Sequence, residues 1–469
     1  MKFRHHSGME TPNTRPNILL ITTDQQRYDT LACNGSRVVR TPVLDGLARE
    51  GGRFEHAYVN NPVCIPSRAC IQTGRYTHQH GVRYMESKVD TTPGLPFWEE
   101  TFMERLRVAG YRTGAAGKIH MFPPRGFDFQ KLTHGQGARW DVPYGSPLGP
   151  AQLGDEYAYW LEQQNPGAYA RIYEQRRSEE YKRNLGAVTS AVAFEESVDY
   201  WAAENAIKFI RESGERPFFL WYGLCNPHTP VDAPGKYASL YDPGEIPLTE
   251  KYRNRPNPDE GPSEPVVRRW IAHYYGLCTM IDDLVGRVIE ELKKRNLLEN
   301  TLVLFTSDHG EMMGDLGRFG KGNFLEEIIR VPLIVRPPAG DERVAEIDRL
   351  VELIDLAPTV LDYAGLPVPD AVQGESLRPL MQTGEGGKDA VLGEFTANDR
   401  SLHGKCLRTE RYKYVHWTGG RPAELYDLRE DPGEWSNLAG DPAFRELLAE
   451  MQGRLIEHLS LSERPILRR

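Results

Sequence analysis

Short apolar segments alternate with longer amphipathic segments along most of this chain, and that alternation restricts the fold more than any other feature of the sequence. The segment PNILLITT (16–23) is closed by Asp24, which is typical of a buried strand. Strands that alternate with helices pair in parallel and are covered on both faces. The chain is therefore predicted to have an α/β fold with a mostly parallel sheet flanked by helices. Further strands are predicted at 111–116, 217–224, 301–307 and 331–336, and helices at 41–51, 97–109, 190–213 and 265–297.

Two parts of the chain depart from this alternation. Residues 121–185 are rich in Gly, Pro, Tyr and Trp, and are predicted to form long loops over the edge of the sheet. Beyond about residue 385, KCLRTERYKYVHW and ELYDL indicate short antiparallel strands, and 442–460 indicates a closing amphipathic helix. We predict a larger α/β domain at 1–385 and a smaller C-terminal α+β domain, built on a short antiparallel sheet, at 386–469.

Charge and composition exclude several classes of protein. The 469 residues carry a net charge of −9, whereas nucleic-acid binding usually needs a basic surface. The six cysteines form no CxxC pair, so neither a zinc ribbon nor a secreted disulfide scaffold is indicated. No apolar run reaches the roughly 18 residues of a membrane span, and MKFRHHSGMETPNTRPN lacks the apolar segment of a signal peptide. We expect a cytoplasmic protein that binds neither nucleic acid nor a membrane.

Polar residues follow four of the predicted strands directly. The carboxyl ends of parallel strands lie along one edge of a sheet, where open α/β folds bind their ligands. Any one of these residues alone is more often a helix cap, a turn former or a surface group, but together they predict a site, which CIPSR (64–68) is expected to join. They are Asp24 and Gln25 after 16–23, Lys118 and His120 after 111–116, His228 after 217–224, and Asp308 and His309 after 301–307.

The residue types in this predicted site indicate its chemistry. Two aspartates, a glutamine and a histidine form an oxygen-rich set that suits a divalent cation. A metal ion that faces a cationic pocket suits the cleavage of a sulfate or phosphate ester. The residues that could form such a pocket are Arg68, Lys118, Lys321, His120 and His228.

The stretch CIPSRACIQTGR (64–75) raises the question of why a cysteine stands four residues before an arginine. Cys64 could be a buried structural thiol, a thiolate nucleophile, or a cysteine that another enzyme converts. A protein tyrosine phosphatase would need its arginine six positions after the cysteine, where this chain has Cys70. A thiolate enzyme of that kind also has no use for the carboxylates, so the thiolate interpretation is disfavoured.

The same stretch resembles the C-x-P-S-R and T-G-R signature of the type I sulfatases. The resemblance extends to NILLITTDQQR, GKIH, SDHG, GKGNFLEEIIRVPLIV and ELYDLREDPGEWSNL, in the same order along the chain. In that family a maturation enzyme reads the positions of Cys64, Pro66 and Arg68 and oxidises the cysteine to formylglycine. The family belongs to the alkaline phosphatase superfamily, whose fold agrees with the predicted sheet.

The resemblance implies a reaction at residue 64 beside one divalent cation. One hydroxyl of hydrated formylglycine attacks sulfur and displaces the alcohol, and the second loses its proton, re-forms the aldehyde and expels sulfate. The implied cation lowers the pKa of the attacking hydroxyl and binds a sulfate oxygen. By resemblance its ligands are Asp24, Gln25, Asp308 and His309, together with the oxidised Cys64.

The resemblance also assigns roles to the cationic residues. Arg68 and Lys118 would steady the hydrated formylglycine, and His120 would accept the proton in the release step. His228 would protonate the leaving alcohol, and Lys321 would bind a sulfate oxygen in the transition state. The expected partners are a small-molecule or saccharide sulfate ester and the maturation enzyme.

This chain departs from the family pattern at the proposed metal ligands. Many sulfatases have Asp-Asp where this chain has Asp24 and Gln25, and Asp-Asn where it has Asp308 and His309. The pairs found here resemble those of the phosphonate monoester hydrolases, a sister group that also uses formylglycine. The softer His309 makes Mn²⁺ or Zn²⁺ conceivable beside Ca²⁺, which is the first expectation. Leu325 stands where the family often has Tyr.

Three functions therefore stay open at the level of sequence. The first is a sulfatase that hydrolyses an aryl or sugar sulfate by S–O cleavage. The second is a phosphonate monoester or phosphodiester hydrolase on the same scaffold. The third is a non-catalytic metal-binding relative in which Cys64 stays a thiol. The sequence leaves the alcohol half of the substrate and the oligomeric state open.

Overall fold

A computed structural model of the chain describes residues 15–84, 94–121, 123–133 and 156–464. Short 3₁₀ turns join several of its elements. The strands are β1 (Asn17–Asp24), β2 (Gly52–Tyr58), β3 (Arg112–Gly117), β4 (Phe129–Leu132), β5 (Phe218–Pro227), β6 (Thr301–Ser307), β7 (Leu333–Arg336), β8 (Glu346–Glu352), β9 (Ala390–Thr396), β10 (His403–Thr409), β11 (Tyr412–Trp417) and β12 (Glu424–Asp427). The α-helices are α1 (Pro42–Glu50), α2 (Cys64–Thr73), α3 (Thr77–His80), α4 (Phe102–Val108), α5 (Glu156–Gln164), α6 (Ala168–Arg177), α7 (Glu179–Arg183), α8 (Val198–Arg211), α9 (Glu250–Arg253), α10 (Glu264–Lys294), α11 (Glu326–Ile329), α12 (Leu356–Tyr363), α13 (Leu377–Thr383) and α14 (Arg445–Leu461).

The first eight strands form one sheet in the order β4-β3-β5-β1-β6-β7-β2-β8. β7 runs antiparallel to its neighbours β6 and β2, and the other neighbouring pairs are parallel. β1 lies at the centre, where Leu20 pairs with Trp221 of β5 and with Leu304 of β6. The prediction of a mostly parallel sheet flanked by helices is confirmed.

The two faces of β1 contribute to two different layers of core. Leu19 and Ile21 pack into the layer that contains the buried faces of α1, α8 and α10. Ile18 and Leu20 point to the opposite face and pack into the layer that contains α4, α12 and α13. Because both faces are covered, the strand reads as a continuous apolar run, and its polar residues collect at its end.

The C-terminal part of the chain forms a second sheet, which is antiparallel and has the order β12-β11-β10-β9. One face packs against α14 through Met451 and Leu455. Val415 and Trp417 of this sheet pack instead into the core layer that contains α4 and α12. The predicted short antiparallel strands and closing helix are confirmed, and the domain boundary at residue 385 stays a prediction.

Within the predicted loop segment 121–185, residues 122 and 134–155 lie outside the described residues. For most of the remainder the prediction of long loops is wrong, because this part forms a strand and three helices. β4 extends the main sheet by pairing with β3, and 156–183 forms α5, α6 and α7. Tyr157 and Leu161 of α5 are buried on one helical face, so aromatic residues here fill the core. Among the described residues, no helix has both the length and the apolar character that a membrane span requires.

Candidate active site

The carboxyl ends of four neighbouring strands carry the polar residues of the site. Asp24 ends β1, and Asp308 and His309 directly follow β6. Lys118 directly follows β3, and His228 directly follows β5. β3, β5, β1 and β6 are consecutive in the sheet, so these side chains converge. We call the group that Asp24, Lys118, Asp308 and His309 form with two residues of α2 and one loop lysine the strand-end cluster, which consists of Asp24, Cys64, Arg68, Lys118, Asp308, His309 and Lys321.

Cys64 is the first residue of α2 and lies at the centre of the cluster. Its Sγ atom is 3.2 Å from Nε2 of His309 and 3.7 Å from Oδ1 of Asp24. The Nζ atom of Lys321, which lies on the loop between β6 and α11, is 2.6 Å from the same sulfur. Arg68 is one helical turn further along α2, so it lies on the same face as Cys64. The four-residue spacing therefore brings both side chains to one site.

Arg68 is fully buried and ties the strand ends together. Its Nε donates to Oδ2 of Asp308 at 2.7 Å, and one terminal nitrogen donates to the carbonyl oxygen of Lys118 at 2.7 Å. The other terminal nitrogen contacts the carbonyl oxygen of Thr23 at 3.3 Å and Oδ2 of Asp24 at 3.4 Å. The guanidinium thus orients two carboxylates of the proposed ligand set.

Asp24 is fully buried in a strongly cationic environment. Its Oδ2 lies 2.6 Å from Nζ of Lys118. Burial opposes ionisation, but Lys118, His228, Lys321 and Arg68 outweigh it and hold the pKa of Asp24 well below its ordinary value. The carboxylate is therefore ionised at neutral pH, as a metal ligand must be.

His309 is held in the tautomer that a metal ligand needs. Its Nδ1 lies 2.9 Å from the carbonyl oxygen of Gly310, to which it donates. Its Nε2 therefore carries the lone pair, and this atom faces Cys64 and Lys321. Burial and the charge of Lys321 lower the pKa of His309 to about 4, so the ring is neutral at physiological pH.

The donor set fits a divalent cation. One atom each from Asp24, Cys64, Asp308 and His309 lies within 4.8 Å of the others. Gln25 has a left-handed backbone (φ 66°), which is uncommon for a residue with a side chain. In the described part of the chain its Oε1 is buried without a hydrogen-bond partner. A buried acceptor of this kind beside two carboxylates and an imidazole is what a bound cation would satisfy.

Family descriptions match nearly the whole chain. The description "Sulfatase" matches residues 16–366, and "N-sulphoglucosamine sulphohydrolase, C-terminal" matches residues 314–460. The chain belongs to the sulfatase family. It is therefore a hydrolase of sulfuric esters, and the resemblance seen in its sequence is confirmed.

Relatives of this sulfatase cover the same length of chain. An arylsulfatase of Clostridium perfringens is 31% identical over 95% of this chain and 94% of its own length. An N-acetylglucosamine-6-O-sulfatase of Bacteroides thetaiotaomicron is 27% identical over 94% of this chain and 86% of its own. The crystal structure of the phosphonate monoester hydrolase of Agrobacterium radiobacter superposes with a TM-score of 0.79 at 25% identity and covers 96% of each chain. This chain and that hydrolase share the alkaline-phosphatase-like fold.

Of the two histidines predicted for proton transfer, His228 lies at the edge of the strand-end cluster of this sulfatase. His228 is partly exposed, and its Nδ1 donates to the carbonyl oxygen of Thr229 at 2.6 Å. Its Nε2 is 4.0 Å from Oδ1 of Asp24, so this nitrogen faces the cluster. His120 lies two residues after Lys118, is half-buried and has a left-handed backbone (φ 49°).

Two buried carboxylates of this sulfatase orient the site although sequence reasoning did not identify them. Glu311 accepts a hydrogen bond from the side-chain amide of Gln25, which leaves the oxygen of that amide for a ligand. Asp199 of α8 accepts from the backbone nitrogens of Cys225 at 2.7 Å and Asn226 at 3.0 Å, and so fixes the end of β5 before His228. Glu311 is two residues from His309, a signal that could have been used, whereas nothing in the sequence connects Asp199 to this site.

Proposed function

We propose that this protein hydrolyses a sulfate monoester by S–O cleavage, with residue 64 as the nucleophile after conversion of Cys64 to formylglycine. The observation that supports it most is the position of the Cys64 Sγ, which stands where an oxygen of the converted side chain would be. That atom is within 3.7 Å of a carboxylate, an imidazole and an ammonium group. Formylglycine would supply two hydroxyl groups on one carbon when hydrated, one to attack sulfur and one to release the sulfate.

One divalent cation is part of the proposal. Asp24, Gln25, Asp308 and His309 would hold it together with residue 64. When bound, it would polarise a sulfate oxygen and lower the pKa of the attacking hydroxyl. Ca²⁺ is our first expectation because most of the ligands are oxygens, and the imidazole of His309 also admits Mn²⁺ or Zn²⁺.

The cationic side chains divide the remaining work. Lys321 is half-buried and contacts the Cys64 sulfur, so its ammonium is placed to bind a sulfate oxygen as negative charge develops. Lys118 pairs with Asp24 beneath the reacting centre and would steady the hydrated residue 64 with Arg68. Arg68 also keeps the ligand carboxylates in place, since its guanidinium contacts both of them.

The histidines would move the protons. His228 holds its Nδ1 proton against a carbonyl oxygen, so its Nε2 is the nitrogen that can donate a proton to the leaving alcohol. His120 would accept the proton of the second hydroxyl when sulfate is released. Each of these two roles is a separate part of the proposal.

Mass spectrometry of the peptide spanning residues 54–68 tests the nucleophile. Active protein should contain the aldehyde at residue 64 in place of the thiol, produced by a maturation enzyme that recognises CIPSR. A fully active preparation in which residue 64 is only unmodified cysteine would exclude this mechanism. Inactive protein with an unmodified thiol, produced together with a maturation enzyme, would support the non-catalytic alternative.

A second candidate is hydrolysis of phosphonate monoesters or phosphodiesters. The presence of Gln25 and His309 among the proposed ligands favours it, as does the structural similarity to a phosphonate monoester hydrolase. A sulfate monoester and a phosphonate monoester both carry one negative charge, whereas a phosphate monoester carries nearly two at neutral pH. A site with one cation should therefore separate the phosphate monoester from the other two esters better than it separates those two from each other.

Comparing kcat/KM for one aryl leaving group across the three esters distinguishes these candidates. We expect the sulfate to be preferred, with measurable activity on the phosphonate. A preference for the phosphonate would put the second candidate first, and a preference for the phosphate monoester would contradict the single-cation site. Sugar sulfates belong in the same panel because a relative is named as an N-acetylglucosamine-6-O-sulfatase.

A further inference from the structure

The loop that carries Lys321 rests on the C-terminal sheet. We call residues 318–325 the Lys321 loop. Its Phe324 ring packs against Trp417 of β11, with ring centroids 5.3 Å apart. A Cβ atom on Gly404 of β10 would lie 2.6 Å from this ring, and one on Gly393 of β9 would lie 3.1 Å from it. Two glycines on neighbouring strands thus leave the space in which Phe324 sits.

A buried ion cluster secures the end of the same loop. Lys413 of β11 has no exposed surface, and its Nζ donates to the carbonyl oxygen of Phe324 at 2.7 Å. The same ammonium pairs with Glu326 at 3.1 Å and with Glu434. Glu434 in turn accepts from the backbone nitrogen of Glu326 at 2.8 Å. Side chains from the C-terminal part therefore hold the backbone on both sides of the start of α11.

A residue of α9 also belongs to this buried ion cluster. Lys251 of α9 pairs with Glu327 at 2.7 Å and lies 3.8 Å from Glu434. We call Lys251, Glu326, Glu327, Lys413 and Glu434 the clamp cluster. Its five members come from four places in the sequence, so it joins segments that the chain itself leaves far apart.

α11 also connects the clamp cluster to the residues that directly follow His309. The backbone nitrogen of Gly310 donates to the carbonyl oxygen of Ile328 at 2.8 Å. The backbone nitrogen of Glu311 donates to the carbonyl oxygen of Glu327 at 3.2 Å. A Cβ atom on Gly310 would lie 1.9 Å from the Glu327 carbonyl oxygen, so this close approach requires glycine. The part of the β6–α11 connection that follows His309, and the Lys321 loop near its other end, are thus both fixed to one short helix.

We propose that Lys413 and Glu434 are positioning residues for the reaction, which hold the Lys321 loop so that the Lys321 ammonium stays at residue 64. The inference rests on the proposed role of Lys321. A lysine side chain is flexible, so its ammonium can be placed within 2.6 Å of the reacting position only if its backbone is fixed. The other proposed residues of the active site lie on α2 or at the carboxyl ends of strands of the main sheet. The C-terminal sheet contributes to the same site by holding the loop that carries Lys321.

Kinetics in two backgrounds test this coupling. Lys413→Met should lower kcat about tenfold or more in the otherwise unchanged enzyme, because misplacement of a reacting group by about 1 Å can cost as much as 10²-fold. In a Lys321→Ala background the same substitution should have almost no further effect, since the group it positions is absent. Equal losses in the two backgrounds would overturn the proposal. Gly393→Ala, whose Cβ would lie 3.1 Å from Phe324, is a second variant that leaves every charge in place.

Lys388→Met is the matched control. Lys388 is a half-buried lysine in the same part of the chain, and it pairs with Glu352 at 3.1 Å and Asp355 at 3.0 Å. Within the described residues, its ion pairs are with Glu352 and Asp355, and none is with the Lys321 loop. The control should lose stability but keep kcat when assayed well below its unfolding temperature. A loss of kcat equal to that of Lys413→Met would show that general destabilisation explains both.

Hydrogen exchange measures, without any substrate, how firmly the clamp cluster holds the Lys321 loop. Peptides that cover 318–325 should exchange faster in Lys413→Met and Glu434→Ala than in the parent protein or in Lys388→Met. Unchanged exchange would overturn the proposal whatever the substrate is. Faster exchange in a protein that hydrolyses neither aryl sulfate nor aryl phosphonate would leave the clamp supported and count against the proposed function instead.

Discussion

The strand-end cluster and the clamp cluster are both buried and charged, yet they are organised differently. In the clamp cluster, two lysines face three carboxylates, and every charge contacts an opposite one. In the strand-end cluster, ligand atoms of four residues converge within 4.8 Å, and the Oε1 of Gln25 is buried without a partner among the described residues. The charges of the clamp cluster are paired among protein groups, whereas the strand-end cluster has the donor set that the proposed cation would occupy.

The surroundings of Asp24 in one cluster and of Glu434 in the other shift the pKa values of these two carboxyl groups in opposite directions. Cations surround Asp24 and hold its pKa well below the ordinary value in spite of burial. In the clamp cluster, burial raises the pKa of Glu434 to about 7, and Glu326 and Glu327 add to the effect while Lys413 opposes it. A surplus of cations suits the binding of an anionic ester, whereas a shortage of lysines leaves one carboxyl of the clamp titrating near neutral pH.

The largest expected effect is that of Asp308→Ala. The change removes a carboxylate from the proposed ligand set and leaves Arg68 without its 2.7 Å partner, so both bound metal and activity should be lost. Breaking a buried pair costs about 3–5 kcal/mol of unfolding free energy. Elemental analysis, an ester assay and thermal unfolding measure the three effects.

Asp427→Ala is the control for that experiment, because it breaks a two-point pair with Arg411 in the C-terminal sheet. It should keep its metal content and activity. Undiminished metal in Asp308→Ala would contradict the assignment of Asp308 as a metal ligand.

His228→Ala is expected to have the next largest effect. Loss of a general acid should lower kcat about 10²–10³-fold on esters with poor leaving groups and much less on nitrophenyl-type esters, which need no proton. His416, an exposed histidine on β11, provides the control variant His416→Ala, which should match the parent enzyme. Equal losses on good and poor leaving groups would remove His228 from the acid role.

Glu311→Ala should have a smaller effect that acts through Gln25. Without its acceptor the Gln25 amide is free to turn, and outer groups of this kind typically change metal affinity by about 10–100-fold. Titration with Ca²⁺ and Mn²⁺ measures the change. Asp315 lies on the same loop as Glu311 and forms a buried ion pair with Arg27. Asp315→Ala should therefore lower stability without this loss of metal affinity. A similar loss in both variants would contradict the orienting role of Glu311.

The smallest expected effect is a change in how stability depends on pH. An unfolded glutamate ionises near pH 4.5, and folded Glu434 ionises near pH 7, so between these values the folded state binds more protons. Its contribution to stability should therefore fall as pH rises from about 5 to about 8, by roughly 1–3 kcal/mol. Glu434→Gln should flatten this fall in chemical denaturation, whereas Glu457→Gln on the exposed face of α14 should not. Parallel profiles for Glu434→Gln and the parent would show that this carboxyl is ionised throughout.

The sequence predicts the main sheet well because its central strands are buried on both faces. PNILLITT and TLVLFTS are continuous apolar runs, and both appear as strands close to the predicted bounds. β8 was not predicted because an edge strand with the sequence EIDRLVE has four charged residues and no apolar run. Helix α4 begins at Phe102 and not at 97, since Thr101 and Glu104 form a capping box that stops the helix from extending further.

The sequence predicts the site residues that directly follow a strand. It does not predict the side-chain positions that depend on packing between distant parts of the chain. Asp24, Lys118 and Asp308 follow predicted strands, so their convergence could be inferred from the alternation alone. The amide orientation of Gln25 depends on Glu311 and the placement of the Lys321 loop depends on Lys413, and both contacts join distant parts of the chain. Such contacts leave no periodic pattern in a single sequence.

The burial of the first turn of α2 imposes an order of events on the proposed enzyme. Cys64 is 1% exposed and Arg68 is 0% exposed, and Pro66 between them is buried as well. A catalyst that must read these three side chains can reach them only while the chain is unfolded. Maturation and folding would then compete in time, and a molecule that folds first would keep its thiol and stay inactive. The yield of active enzyme would be set during synthesis by which of the two processes is faster.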